Sequence, residues 1–151
     1  MIVVASDHGG LILKQPVIEV LEELKLPYRY IGTDNTESTD YPMWGCKAAK
    51  MVSSGECENG IIICGTGAGI SMAANKVKGI RCVVCSDVYT AKLSRAHNDA
   101  NMLALGGRVV GPDLAKMLVQ IWLETPFDGG DRHCRRVQMI MDIETNPNLS
   151  L

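Results

Sequence analysis

Short apolar runs alternate along the chain with longer amphipathic stretches. The apolar runs are rich in Val, Ile and Leu, which is typical of strands that are buried on both faces. They predict strands at residues 2–5, 28–31, 60–64, 81–85 and 102–105. Helical spacing of apolar residues predicts helices at about 13–24, 41–55, 69–79, 88–95, 112–125 and 131–144. Pro16 lies inside the first helical pattern and lacks an amide N–H, so this helix is expected to start late or to bend.

Strict alternation of strands and helices predicts one architecture. It is an α/β fold, a doubly wound Rossmann-like five-stranded parallel sheet with helices on both faces and right-handed crossovers. In such folds, ligands bind beyond the carboxyl ends of the strands, where the strand order reverses. The chain shows no internal repeat, low-complexity tract or linker. Residues 1–151 are therefore expected to form a single domain.

The amino-acid composition gives no sign of binding to nucleic acid or to a membrane. The 151 residues are 46% hydrophobic and 21% charged, and 15 Lys and Arg against 17 Asp and Glu give a net charge of −2. This balance provides no general attraction for nucleic acid or for an anionic membrane. No apolar run approaches the ~20 residues that span a bilayer, and Met1 leads directly into an apolar strand. We therefore expect a cytoplasmic protein whose six cysteines are mostly reduced and packed in the core.

The segment around Cys64 carries the clearest chemistry. Cys64 ends an apolar strand, and Gly65-Thr66-Gly67-Ala68-Gly69 leads into the next helix, whose N-terminus would stabilise a thiolate. The glycines let the backbone amides turn inward and form a nest for a phosphate or an oxyanion. Cys64 is therefore a candidate nucleophile or base. The structural alternative is a tight turn around a buried thiol.

The same glycines raise the question of nucleotide binding. The dinucleotide fingerprint is G-x-G-x-x-G, but here the third glycine comes one position early and Ile70 stands in its place. Asp87 follows roughly 20 residues later, as a ribose-binding acid would, so a nucleotide-binding module stays open as an alternative. A P-loop needs Gly-Lys-Ser/Thr, and Gly69-Ile70-Ser71 lacks the lysine.

Further polar residues follow the predicted strands and helices. Asp7 and His8 after the first strand could contact a hydroxyl-rich ligand or a phosphate, or form a cap beside a solvated imidazole. His97 after the fourth helix could be a general acid or base, or a helix cap. A candidate phosphate clamp consists of Arg132, His133 and Arg136, joined by Arg108 after the fifth strand. The structural alternative for these residues is a solvated basic face.

Cys82 and Cys85 form a C-x-x-C motif, which on a loop or helix is typical of zinc or redox sites. In a strand, positions i and i+3 point to opposite faces, so both thiols are expected in the core. No other group of His, Cys or carboxylate residues has the spacing of metal ligands. The sequence therefore predicts no metal site.

Six segments together resemble the ribose-5-phosphate isomerase B family, also called the RpiB/LacA/LacB family, over nearly the whole chain. They are Ser6-Asp7-His8-Gly9-Gly10, Thr39-Asp40-Tyr41-Pro42, Cys64 to Ser71, Ala74-Asn75-Lys76, Gly79-Ile80-Arg81 and His97 to Asn101. The resemblance implies an aldose–ketose isomerase of carbohydrate metabolism that interconverts D-ribose 5-phosphate and D-ribulose 5-phosphate through an enediolate. It also implies that no cofactor is needed and that the chain forms a homodimer or homotetramer.

The resemblance also assigns roles to individual residues. Cys64 would be the base that moves a proton between C1 and C2, and the amides of residues 65–69, with the Thr66 hydroxyl, would form the anion hole. His97 would open the furanose ring, with Asn98 beside it. The residues that would bind the sugar or its phosphate are Asp7, His8, Tyr41, Arg108, Arg132, His133 and Arg136.

In this family the pocket is built between two subunits, so the resemblance implies that some of these side chains come from a neighbouring chain. The C-terminal helix, which carries Val137, Ile140 and Met141, is expected to pack on that partner subunit. The motifs at 97–99 and 132–136 favour ribose phosphate over galactose phosphate as the substrate. Allose 6-phosphate or another hexose 6-phosphate is the alternative substrate, and a non-catalytic oligomeric scaffold is a further alternative.

Overall fold

Five parallel strands form one sheet in the computed structural model, which describes residues 1–146 and residue 148. The predicted domain boundary at residue 151 lies outside the described residues. The strands are β1 (Ile2–Ser6), β2 (Tyr28–Tyr30), β3 (Asn59–Cys64), β4 (Cys82–Val84) and β5 (Met102–Gly106). Their order in the sheet is β2-β1-β3-β5-β4, and every pairing is parallel.

Helices cover both faces of the sheet, which confirms the predicted fold class. After a short 3-10 turn at Leu11–Leu13, the helices are α1 (Lys14–Glu23), α2 (Tyr41–Ser53), α3 (Ala68–Ala74), α4 (Val88–Ala96), α5 (Pro112–Glu124) and α6 (Asp131–Thr145). α1, α4 and α5 pack on one face, and α2 and α3 on the other. Of the helices in the described part of the chain, none combines the length and the apolar character that crossing a membrane requires.

Strand side chains alternate between two core clusters, as the period of two in a strand requires. In β3, Ile61 and Ile63 join the cluster under α1, α4 and α5, whereas Ile62 and Cys64 join the cluster under α2 and α3. Cys82 and Cys85 belong to opposite clusters and are both buried, so the prediction that they are core residues is confirmed. Burial raises the pKa of Cys85 to about 11.

Individual residues explain where α1 begins and where α3 ends. α1 begins at Lys14, so Pro16 falls in its first turn, where a missing N–H is tolerated. The expected late start is confirmed. α3 ends at Ala74, well before the predicted end at 79. The Asn75 side chain ends it, because it donates to the Cys82 carbonyl and accepts from the Cys82 amide, at 2.8 Å each.

The topology gives the sheet two functionally different edges. The chain leaves each strand at its carboxyl end, and the following helix returns it to the amino end of the next strand. We call these the carboxyl edge and the amino edge. β5 has five residues and therefore separates the two edges by roughly 16 Å. The ends of α4 and α5 both lie at the amino edge, where the Asp128 amide donates to the Ala96 carbonyl at 3.0 Å.

Candidate active site

A cavity of about 290 Å³ opens at the carboxyl edge, where the turns after β1, β3 and β5 meet. It lies beside the pair β1 and β3, which is where the strand order reverses and where ligands bind in doubly wound folds. The cavity is lined by Asp7, His8, Gly9, Tyr41, Cys64, Gly65, Thr66, Gly69 and Arg108. Eight of these nine residues are predicted site residues, and Gly9 is the addition.

Cys64 occupies the end of the central strand β3, and only 4% of its surface is exposed. The Gly67 amide donates to the Cys64 sulfur at 3.1 Å. An amide N–H aimed at sulfur stabilises negative charge there. Gly67 adopts φ +79°, and a Cβ at this position would lie 2.5 Å from a methyl carbon of Val84. Glycine is therefore needed both for the backbone conformation and for space.

The loop amides divide between internal contacts and the cavity. The Gly67 amide is used by the Cys64 thiol, and the Ala68 amide donates to the Thr66 hydroxyl oxygen at 3.3 Å. Two of the five amides predicted as an anion hole are thus engaged within the loop itself. Gly65, Thr66 and Gly69 line the cavity, so this part of the loop is accessible from the cavity.

His8 is held in one tautomer by the backbone. The Thr39 amide donates to Nδ1 of His8 at 3.1 Å, so this nitrogen is an acceptor. In the neutral ring, the proton is then on Nε2, where it is available as a donor. Asp7 is also fixed by the main chain, because its Oδ1 accepts from the Gly10 amide at 2.9 Å. Asp7 is 4% exposed and lines the cavity.

Close backbone packing brings Arg108 to the Cys64 loop. The Arg108 amide donates to the Gly65 carbonyl at 2.9 Å, and the Gly107 amide donates to the Cys64 carbonyl at 2.8 Å. A Cβ at Gly107 would lie 2.4 Å from the carbonyl oxygen of Gly9, so only glycine allows this approach. The Arg108 guanidinium lies next to Gly65, where it provides local positive charge at the cavity.

Tyr41 forms another wall of the cavity from the first turn of α2. Its ring lies directly against Gly69, because a Cβ at that glycine would be 2.5 Å from Cζ of the ring. Tyr41 is 41% exposed. Part of its surface therefore remains open at the cavity.

The remaining predicted site residues lie elsewhere, at the amino edge. His97 ends α4, and its ring stacks on that of His133 with the ring centres 4.2 Å apart. His133 is buried in the first turn of α6, whereas Asn98, Arg132 and Arg136 are exposed. These residues are absent from the lining of the 290 Å³ cavity in the part of the chain that the structure describes. Within one chain, the predicted site residues therefore lie in two groups, at opposite edges of the sheet.

The arrangement at the amino edge includes one residue that the sequence analysis missed. Both carboxylate oxygens of Asp128 lie within hydrogen-bonding distance of Nδ1 of His133, at 2.7 and 2.6 Å. The His133 ring faces inward while its neighbour Arg132 is exposed, because consecutive helical residues point about 100° apart. An acidic residue beside the diglycine at 129–130 and five positions before a histidine was the available signal.

The model of the family described as Ribose/Galactose Isomerase matches residues 2–140. The chain belongs to this family. The predicted resemblance to sugar-phosphate isomerases is thereby confirmed.

Individual members of the ribose/galactose isomerase family are similar over almost the whole chain. Ribose-5-phosphate isomerase B of Escherichia coli is 51% identical over 142 residues, which are 94% of this chain and 95% of the relative. A solved structure of the Clostridium thermocellum enzyme of that name has 52% identity and a TM-score of 0.93, covering 97% and 99% of the two chains. The Mycoplasma genitalium enzyme, solved with bound ribulose 5-phosphate, has 38% identity, a TM-score of 0.90 and 95% coverage of both chains.

Proposed function

We propose that this chain is an aldose–ketose isomerase that interconverts D-ribose 5-phosphate and D-ribulose 5-phosphate. One observation carries the proposal. The Cys64 sulfur accepts a hydrogen bond from the Gly67 amide and lies in a cavity that Arg108 also lines. Membership of the ribose/galactose isomerase family and the names of its close relatives support it. We further propose that residues 1–151 act as a single domain in the cytoplasm.

The chemistry is a proton transfer between neighbouring carbons. The Cys64 thiolate takes the proton from C2 of the open-chain aldose, and the C–H electron pair forms the C1–C2 double bond of an enediolate. The proton then returns from sulfur to C1, while O2 loses its proton to O1 and becomes the new carbonyl oxygen. Substrate and product are isomers, so the reaction consumes no oxidant or reductant, and we propose that no cofactor is required.

The groups around Cys64 match the charges of this reaction. Donors that face the developing oxyanion would stabilise it more strongly in the transition state than in the substrate. In this proposal such donors are the amides of Gly65 and Gly69, two residues that line the cavity, and the Nε2–H of His8. The Arg108 guanidinium provides a planar set of donors for the phosphate or for an adjacent oxygen.

We propose that a second copy of the chain completes the site. His97 and Cys64 lie at opposite edges of the sheet, so one sugar phosphate cannot contact both within a single chain. A symmetric homodimer, alone or within a homotetramer, would bring the amino edge of one chain to the carboxyl edge of the other. The partner-facing residues would be His97 for ring opening, Asn98, and the phosphate-binding pair Arg132 and Arg136.

α6 is the element that we expect at this interface. Of its residues, His133 is the buried one, and Ile140 and Ile143 are 43% and 52% exposed. Apolar side chains exposed on one helix are typical of a surface that a partner covers. The predicted packing of α6 on a partner subunit therefore remains part of the proposal.

Replacement of Cys64 tests the proposed base. Cys64→Ala should lower kcat for ribose 5-phosphate by roughly 10²–10⁴-fold, which is the usual contribution of a general acid or base. The matched control is Cys57→Ala, because Cys57 is buried in the same core cluster but does not line the cavity. It should lose some stability and keep kcat. A native rate in Cys64→Ala would contradict the proposal.

A substrate panel tests the proposed specificity. We expect ribose 5-phosphate to have a higher kcat/KM than allose 6-phosphate or galactose 6-phosphate. A preference for a hexose phosphate would overturn the substrate assignment and leave the isomerase chemistry intact. Thermal stabilisation by nucleotides, without stabilisation by sugar phosphates, would instead favour the nucleotide-binding alternative.

A further inference from the structure

Asp128 has no role in the proposed mechanism, but it is connected through His133 to two residues of the proposed site, His97 and Arg132. Its carboxylate oxygens are 2.7 and 2.6 Å from Nδ1 of His133. His133 is only 7% exposed, and its ring stacks on that of His97 at an interplanar angle of 28°. On its other nitrogen, Nε2 is 3.3 Å from a terminal nitrogen of Arg132. One carboxylate is thus connected through one imidazole to both a proposed ring-opening residue and a proposed phosphate ligand.

The main chain holds Asp128 in this position. Its amide donates to the carbonyl of Ala96, the residue directly before His97, at 3.0 Å. Its Oδ1 accepts from the Gly130 amide at 3.0 Å, directly before α6 begins. Hydrogen bonds from His133 and from the Gly130 amide lower the pKa of the Asp128 carboxyl group, so it is ionised at neutral pH. Asp128 therefore joins the end of α4 to the start of α6.

These contacts select one form of the His133 ring. A guanidinium has donors but no acceptor, so Nε2 must offer its lone pair to Arg132. The ring proton then belongs on Nδ1, where the ionised carboxylate accepts it. Both partners favour the same neutral tautomer, and the ring is held at both nitrogens. If the carboxylate were absent, a proton on Nε2 would place two donors against each other and would displace Arg132.

We propose that Asp128 is a positioning residue that, through His133, orients the His97 ring and the Arg132 guanidinium for the site of the partner copy. This inference rests on the proposed isomerase function. The buried His133 ring provides the flat surface against which His97 packs, and Nε2 provides the acceptor for Arg132. Asp128 touches neither substrate nor reacting atoms, so its effect on the reaction is exerted entirely through these two side chains.

The test combines Asp128→Ala with the matched control Asp131→Ala. Asp131 is an exposed acidic residue in the first turn of α6, so the control removes the same charge without touching His133. Asp128→Ala should lower kcat for ribose 5-phosphate roughly tenfold to hundredfold, since small misplacements of site groups have effects of this size. Asp131→Ala should keep kcat within about twofold, and Asp128→Glu, which retains the carboxylate, should recover most of the lost rate.

Two further measurements separate positioning from a general structural role. The ¹⁵N NMR signals of His133 should report a single Nδ1–H tautomer in the native protein and in Asp131→Ala, and a mixture of tautomers in Asp128→Ala. Solvent deuterium exchange at C1 of ribulose 5-phosphate needs the Cys64 proton transfer but no ring opening, because this ketose is an open chain. At saturating substrate, this exchange should fall much less in Asp128→Ala than turnover of ribose 5-phosphate.

The possible outcomes distinguish this inference from the function on which it rests. A native protein that isomerises no sugar phosphate would contradict the proposed function. An active native protein with unchanged kcat and an unchanged His133 tautomer in Asp128→Ala would contradict the positioning role alone. Equal losses of turnover and exchange, with loss of native stability and no recovery in Asp128→Glu, would show that Asp128 is merely structural and would also overturn the inference.

Discussion

The carboxyl and amino edges of the sheet hold their polar groups in different ways. At the carboxyl edge, backbone amides fix the side chains: Gly67 donates to Cys64, Thr39 to His8 and Gly10 to Asp7. At the amino edge, side chains fix one another through Asp128, His133, His97 and Arg132. The proposed proton-transfer site is therefore built on rigid main chain, whereas the groups proposed for ring opening and phosphate binding depend on their neighbours.

The difference fits the chemistry that we propose for each edge. Proton transfer at carbon requires accurate placement of the base relative to C1 and C2, and turns packed backbone against backbone provide it. Ring opening and phosphate binding involve exposed oxygens, which arginine and histidine side chains can reach from helix ends. If a partner copy provides the second group, assembly of the dimer is also the step that completes the site.

The largest expected effect comes from mixing two inactive variants. Cys64→Ala and His97→Ala should each have little activity alone. After joint unfolding and refolding, half of the dimers should be mixed, and one of the two sites in each should combine an intact Cys64 with an intact His97. Activity should return to about a quarter of the native value, as twofold symmetry requires. Mixed dimers that form without any recovery would show that the two residues do not share a site.

A smaller effect is expected from a change that affects the carboxyl edge alone. Gly67 and Gly55 both have φ +79°, but a Cβ meets Val84 at Gly67 and nothing within 4 Å at Gly55. Gly67→Ala should lower the free energy of unfolding by about 2–4 kcal/mol, because backbone strain and crowding add. It should also lower kcat, since the Gly67 amide moves away from the thiol. Activity and stability are measured for Gly67→Ala and for Gly55→Ala.

Gly55→Ala is the matched control for this change. It should cost about 1–2 kcal/mol through backbone strain alone and should leave kcat unchanged. Equal losses of activity in the two variants would show that the contact between Gly67 and Cys64 has no role in turnover.

The smallest effect concerns acid stability at the amino edge. The pKa of Asp128 is lowered by the hydrogen bond from His133, so its folded value lies below its unfolded value. The corresponding stabilisation is present above about pH 4 and is lost as the pH falls through the folded pKa. Melting temperatures measured from pH 5 to pH 2 should fall less steeply for Asp128→Ala than for the native protein. An identical slope in both would contradict a stabilising link between Asp128 and His133.

Most of the fold was predictable because its signals are local. A strand that is buried on both faces needs a continuous apolar run, and β3 and β5 have one whatever surrounds them. The end of α3 was not predictable in this way. It depends on a pairing between the Asn75 side chain and the backbone of Cys82 in β4, which is a tertiary contact and leaves no local pattern in the sequence.

The candidate site divides along the same line. The cysteine and glycine motif and the family resemblance could be identified from the sequence alone, because they depend on residue types at short spacing. Whether Arg108 and Arg132 could act together depended on helix direction and strand order, which place one at the carboxyl edge and the other at the amino edge. The pairing of Asp128 with His133 emerged only in three dimensions. The resemblance already implied a second copy, and the structure added a physical reason to propose one, which is the distance between the two edges. A linear pattern records which groups are present, whereas the packing of α4, α5 and α6 decides which of them meet.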